Sequence, residues 1–207
     1  MYMEYSSSIH TWGISIVPGC QEVQNILLMI SFSADINCFN VFGCNNGNYF
    51  NIEDVMESRL LMNDGIPFPP TERDHEKFLN EVSSDKEDYM FGIELKDEKI
   101  FIGTIAVYLV NWKNGTCHVG VSIGPEYQGK GYGTDSMQIL VDFIFNYMNV
   151  NKVKLQVFSY NKRAIASYEK CGFSVEGNLK EELFRFGSYH DIHIMGLLGE
   201  DWENEKA

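Results

Sequence analysis

The chain has 207 residues, of which 44% are apolar and 14% aromatic, enough for one globular domain with a sizeable core. Its formal net charge of −13 argues against nucleic acid and anionic membrane surfaces as general partners, because both would repel it. Five cysteines, Cys20, Cys38, Cys44, Cys117 and Cys171, form no C-x-x-C pair and are odd in number. That fits neither a disulfide framework nor a zinc site, so no metal is expected and a reducing, cytoplasmic compartment is.

Residues 1–50 read as a divergent N-terminal segment, part of the domain or appended to it. The stretch "SADINCFNVFGCNNGNYFN" is rich in Asn, Cys and Phe and has no sustained period. The apolar run at 26–30 falls far short of the ~20 residues a membrane span needs, and no basic region precedes it as in a signal peptide. Ile52, Val55, Met56, Leu60 and Leu61 then follow helical spacing behind Asn51 as N-cap, predicting a helix over 52–63. "NDGIPFPP" breaks that helix, and a second starts at Thr71 with Glu72 and Asp74 in its first turn.

Strands follow at 89–95 and 100–110 around the polar turn "KDEK". Another, at 116–123, runs into "GPEYQGKGYGTD". The stripe Met137, Leu140, Val141, Ile144 and Met148 predicts a long helix beginning within or just after "GKGYGT". "KVKLQVF" alternates as a strand, and "NKRAIASYEKCGF" is a short helix stopped by Gly172. Two strands, 173–186 and 189–198, hinge at "FGSY". The class is α/β, and both sharp motifs fall at strand-to-helix junctions, where α/β proteins bind ligands.

At such a junction the first helical N–H groups lack partners and the helix dipole adds positive charge, which together favour an anion. Glycines allow close approach to the backbone. The phosphate-loop pattern G-x-x-x-x-G-K-[ST] is met at Gly124, Gly129 and Lys130 but fails at Gly131, where a hydroxyl is required. A phosphate-loop nucleotidase is therefore disfavoured, while a merely flexible turn stays open.

The spacing Gln128-x-x-Gly131-x-Gly133, after a strand and opening a helix, resembles the coenzyme A pyrophosphate loop of the GNAT superfamily of acyl-CoA-dependent N-acetyltransferases. "NKRAIASYEKCGF" resembles that family's N-x-x-A-x-x-x-Y-x-x-x-G-F, with Asn161, Ala164 and Tyr168 on one helix face. From 175 to 202, "VEGNLKEELFRFGSYHDIHIMGLLGEDW" is similar to the close of the ribosomal-protein alanine/serine N-acetyltransferase branch and its spermidine acetyltransferase-like relatives. The resemblance covers about 52–204, so a GNAT domain is expected over 51–204. "INCFNVFG" is the candidate for the family's first strand.

What the resemblance implies is a single-domain fold with a mixed central sheet, flanked by helices, in which a splayed strand pair binds acetyl-CoA. The pyrophosphate would be held by the backbone of Gln128, Gly129, Lys130, Gly131, Tyr132, Gly133 and Thr134. Asn161 would bond the pantetheine arm, Ala164 would let it pass, and Val121, Ser122 and Ile123 would offer backbone groups to the arm and the thioester carbonyl. Tyr168 would lie near the sulfur as general acid; by itself it reads equally as a core-edge aromatic. His118 stands where many relatives carry a carboxylate and has a suitable pKa for a base; a packing role, or a chain of waters in its place, stays open.

The implied reaction moves acetyl from acetyl-CoA, the co-substrate, to a primary amine. The terminal pattern favours a protein N-terminal amine, whereas the acidic balance suits a polyamine. A non-catalytic acyl-CoA-binding protein of the same fold is the alternative, and a homodimer is left open. The "GIPFPP" segment lies where the family shapes its acceptor side, and reads equally as a stiff connector.

Overall fold

The computed structural model describes residues 36–40, 73, 89–97 and 100–206. The helix expected at 52–63, the "NDGIPFPP" break and, apart from helical Arg73, the helix expected from Thr71 lie outside the described residues. Strand β1 is Ile36–Asn40, within the "INCFNVFG" candidate. It is followed by β2 (Tyr89–Leu95), β3 (Phe101–Asn111) and β4 (Thr116–Ile123), then helix α1 (Tyr132–Tyr147), β5 (Lys152–Phe158) and α2 (Lys162–Glu169). The chain closes with β6 (Ser174–Arg185), β7 (Ser188–Leu198) and α3 (Gly199–Lys206).

The seven described strands form one sheet in the order β1-β2-β3-β4-β5-β7-β6. All neighbours are antiparallel except β4 and β5. A parallel pair needs a long crossover, and α1 supplies it. Alternation decides which side chains face that helix: Ile105 and Val107 of β3, Cys117 and Val119 of β4, and Val153, Leu155 and Val157 of β5 are all buried. They share one core with Met137, Leu140, Val141 and Ile144 of α1. Each such aliphatic side chain contributes about 1.5–3 kcal/mol by leaving water.

Helix α3 has no counterpart in the sequence reading. It is short and acidic, with too few apolar residues to show a period. What holds it is tertiary: Trp202 is buried, the Gly199 N–H donates to the Asn151 carbonyl at 3.0 Å, and Glu200 and Asp201 in the first turn complement the helix dipole. The turn in "FGSY" falls one residue earlier than the expected strand ends at 186 and 189. Arg185 pairs with Ser188, leaving a two-residue turn of Phe186 and Gly187.

Candidate active site

Strands β4 and β5 pair only at Thr116–Lys152, Cys117–Val153 and His118–Lys154. Beyond His118 they part, because each follows its other neighbour: β4 stays in register with β3 as far as Ile123, and β5 with β7 as far as Phe158. The result is a V-shaped gap in mid-sheet. Backbone groups on its edges lack a ladder partner there, and such groups call for one. A cavity of about 530 Å³ occupies the gap, lined by Val121, Ser122 and Ile123 of β4, by the glycine loop, and by residues of α2 including Tyr168.

The glycine loop reaches the cavity through two left-handed residues, Gly129 at φ 76° and Gly131 at φ 97°. Gly131 is the N-cap of α1 and gives it no side-chain cap, so the first N–H groups remain for an anion. Gln128, Gly129, Gly131, Gly133 and Thr134 line the cavity; Lys130 and Tyr132 do not. The Lys130 ammonium instead lies over the Tyr127 ring, 5.5 Å from its centroid. The cations on the cavity wall are Arg163 of α2 and Lys170, the residue that caps its C-terminal end. Neither stood out in the sequence, where they look like the solvated side of a short helix.

Gln128 is a brace. Its Nε2 donates to the Ile123 carbonyl at 2.7 Å, and its Oε1 accepts from Arg163 Nη2 at 2.7 Å. One side chain thus ties the loop to β4 and to α2. A second tie joins the two helices, with the Thr134 and Ser167 hydroxyls 2.7 Å apart. At the start of α2, Asn161 Oδ1 accepts the Ala164 N–H at 3.2 Å. The Asn161 side-chain oxygen is engaged as a cap, and its NH₂ group is the part of the side chain with donors to offer. Asn161 and Ala164 both line the cavity.

Tyr168 is 5% exposed. Its ring meets Phe173 edge to face at 6.2 Å, and Phe173 is brought there by the helix end, where Gly172 at φ 85° lets the Phe173 N–H reach the Tyr168 carbonyl at 3.1 Å. Burial, with smaller effects from Tyr108 and Cys171, pushes the phenol up to about 12. It therefore keeps its proton throughout the neutral range. Tyr108, on β3, is a neighbour that no motif announced. It stands over Gly120 and 5.7 Å from the His118 ring.

His118 sits at the vertex of the V, outside the cavity lining. Burial and the adjacent Lys154 hold its pKa below the ordinary 6.5, so it is neutral at pH 7. The unfolded chain binds that proton more readily. This contribution to stability is complete above pH 6.5 and is lost as pH falls through the folded-state value. His118→Gln is expected to flatten the acid side of Tm plotted against pH; an unchanged acid side would assign that loss to other groups.

The hairpin residues His190 and Asp191 are held inside their own turn. The His190 Nε2 lies 3.1 Å from the Arg185 carbonyl and 3.0 Å from the Ser188 hydroxyl. Asp191 accepts from Asn178 Nδ2 and the Glu181 N–H at 2.7 and 2.9 Å, which lowers its pKa. The Asp191 carboxylate thus acts within the hairpin, while the His190 ring also meets Tyr160, after β5.

The gap, the uncapped helix start and the buried phenol meet in one cavity, and comparison with known proteins gives the combination a name. The acetyltransferase (GNAT) domain family matches residues 48–174. Spermidine N(1)-acetyltransferase of Vibrio cholerae is 32% identical over 129 residues, 62% of this chain and 74% of that protein. A putative ribosomal N-acetyltransferase of Bacillus subtilis is 30% identical over 104 residues, 50% of this chain and 57% of that protein. The crystal structure of the V. cholerae spermidine N-acetyltransferase in complex with CoA and spermine superposes with a TM-score of 0.72 at 26% identity, covering 83% of this chain and all of that one. Among the described residues no helix is long and apolar enough to cross a membrane. This chain belongs to the GNAT family and is an N-acetyltransferase that moves acetyl from acetyl-CoA to an amine.

Proposed function

We propose that the acceptor is a small polycationic alkylamine of the spermidine class, and that Tyr168 serves the leaving sulfur. The observation that carries the acceptor is the likeness, over the full length of that chain, to an enzyme in complex with CoA and spermine. The net charge of −13 suits a polycation and raises its local concentration. The likeness to a ribosomal N-acetyltransferase spans a shorter part of both chains, so a protein N-terminus is the second reading.

The cofactor's pyrophosphate sits on the backbone of the glycine loop, between the uncapped start of α1 and Arg163. Its pantetheine arm runs along Val121–Ile123, using the gap-edge backbone and the Asn161 NH₂. The acceptor loses a proton, from an ordinary value near 10.4, and its nitrogen attacks the thioester carbonyl. A C–N bond forms and the C–S bond breaks; a second proton leaves the attacking nitrogen and balances the one the thiolate gains, while the first has gone to solvent. With a phenol at about 12 against a thiol near 8.5, outright transfer is uphill by roughly 5 kcal/mol. Tyr168 therefore acts by donating a hydrogen bond that strengthens as charge grows on sulfur. A base at His118 would need a bridge, such as Tyr108 or water, to reach the cavity.

The Ser122 hydroxyl is buried on the cavity wall with no hydrogen-bond partner among the described residues. Ser122→Ala is expected to leave Tm unchanged or raised, because it removes an unsatisfied group, and to raise the acetyl-CoA KM about threefold. An unchanged KM would take the hydroxyl out of cofactor binding.

A cytoplasmic setting belongs to this reading, which the odd cysteine count without C-x-x-C pairs suits. A V. cholerae relative forms a dodecamer, and self-association of this chain belongs to the same reading. The decisive experiment is thiol release from acetyl-CoA across spermidine, spermine, simple diamines and N-terminal Ala or Ser peptides. Turnover with the alkylamines is expected; turnover with peptides alone would overturn the acceptor assignment.

A further inference from the structure

The turn between β6 and β7 carries a residue that its backbone disfavours. Phe186 lies at φ 53° and Gly187 at φ 77°, between the paired Arg185 and Ser188. Two-residue hairpin turns with both central residues at positive φ are built from Asn, Asp or Gly, because a bulky side chain crowds the backbone there. Gly187 suits its position and Phe186 does not. Burial does not compensate, since Phe186 is 82% exposed. A strained, exposed aromatic beside a binding cavity points to function more than to folding.

The ring lies on the cavity wall and meets Tyr160 edge to face at 5.8 Å. Tyr160 in turn stacks on Phe158 at 5.5 Å and meets the His190 ring at 4.9 Å. The end of β5 and the tip of the hairpin thus present an aromatic wall, while the glycine loop and α1 line a different part of the same cavity. Aromatic faces offer no donor to a phosphate. They suit a chain of methylenes, and their negative π faces accept a cation nearby; the Arg185 guanidinium already lies over Phe158, 5.6 Å from its centroid.

We propose that Phe186 is a specificity-determining residue for the acceptor. Its ring packs on the alkyl segment of an amine whose reacting nitrogen lies at the thioester beside Tyr168, and selects extended alkylamines over short ones. This rests on the reading of the acceptor as a spermidine-class amine.

The test uses the full chain with Phe186→Asn, the residue type the turn prefers, and Phe186→Tyr, which keeps the ring. Acceptors are spermidine, a series of diaminoalkanes of increasing length, and ethylamine. For Phe186→Asn, Tm is expected to rise about 2–4 °C as the turn relaxes. The spermidine KM should rise about fivefold, with an effect that grows with alkyl length and is absent for ethylamine. The acetyl-CoA KM stays as it is, and Phe186→Tyr behaves as wild type. An equal loss for every acceptor, or a rise confined to the acetyl-CoA KM, overturns the assignment, the latter by placing the ring on the cofactor arm. If the wild-type protein acetylates none of the alkylamines, the acceptor reading fails and takes this inference with it. If it acetylates spermidine and Phe186→Asn does so with the same KM, this inference alone is lost.

Discussion

Tyr168→Phe is expected to lower kcat about 10²–10³-fold while the acetyl-CoA KM stays within about twofold. The change removes one oxygen and leaves the ring, so the edge-to-face contact with Phe173 and the place of α2 against the core are kept. Tm should hardly move. In the proposed role the loss falls on kcat, because a hydrogen bond to sulfur that strengthens only as the C–S bond breaks is made in the transition state alone and leaves binding untouched. The pH dependence gives a second readout. With the phenol pushed up to about 12, its ionisation puts no limb on kcat below about pH 10 in the wild type, and the Phe variant should share its profile over the neutral range at a lower level. Steady-state thiol release checks both, and an unchanged kcat would remove Tyr168 from the chemistry.

Gly103→Ala is expected to cost about 3 kcal/mol of stability. Gly103 faces Ile93 on β2 and Ile123 on β4. A Cβ there would collide with the Ser122 carbonyl oxygen and come within 3.1 Å of the Ile123 Cα and Cδ1. The first of these is backbone against backbone, which no rotamer relieves. Either β3 and β4 part or the end of β4 moves, and that end carries the cavity edge, the Ile123 carbonyl held by Gln128, and the Gly124 N–H bonded to the Ile102 carbonyl at 2.8 Å. Thermal melting should show a fall of about 6–12 °C, and the acetyl-CoA KM should rise in the protein that remains folded. A Tm within a degree of wild type would show that the strands can absorb the methyl group.

Much of the described fold was legible because its signals are local. The strands at 89–95, 116–123 and 152–158 match their expected bounds, since alternation of apolar residues is written into each segment. Helix α3 was not legible: the buried Trp202 that anchors it matters only once a core exists to receive it. Phe186 went unnoticed for a related reason, as a phenylalanine in "FGSY" shows nothing of its φ. Tyr108 lay on a strand with no motif, and Gly120 and His118, which it meets, come from another strand. His118 stands where the resemblance puts a carboxylate; the strand pairing places it at the closed end of the gap, because the last β4–β5 pair is His118–Lys154 itself.

By itself the sequence determined the kind of site: a glycine loop after a strand, a short helix with an asparagine, an alanine and a tyrosine on one face, and the coenzyme A chemistry these resemble. Such features depend on contiguous residues, whose spacing sets which backbone angles and helix faces are available. Only the tertiary structure decided which groups meet. Gln128 and Arg163 are 35 positions apart and Thr134 and Ser167 are 33, and the sheet order brings each pair within hydrogen-bonding distance. The gap itself is a property of four strands at once, since β4 and β5 part by following β3 and β7. The raised pKa of Tyr168 is likewise a property of surroundings, because water is excluded from the phenol by residues scattered along the chain.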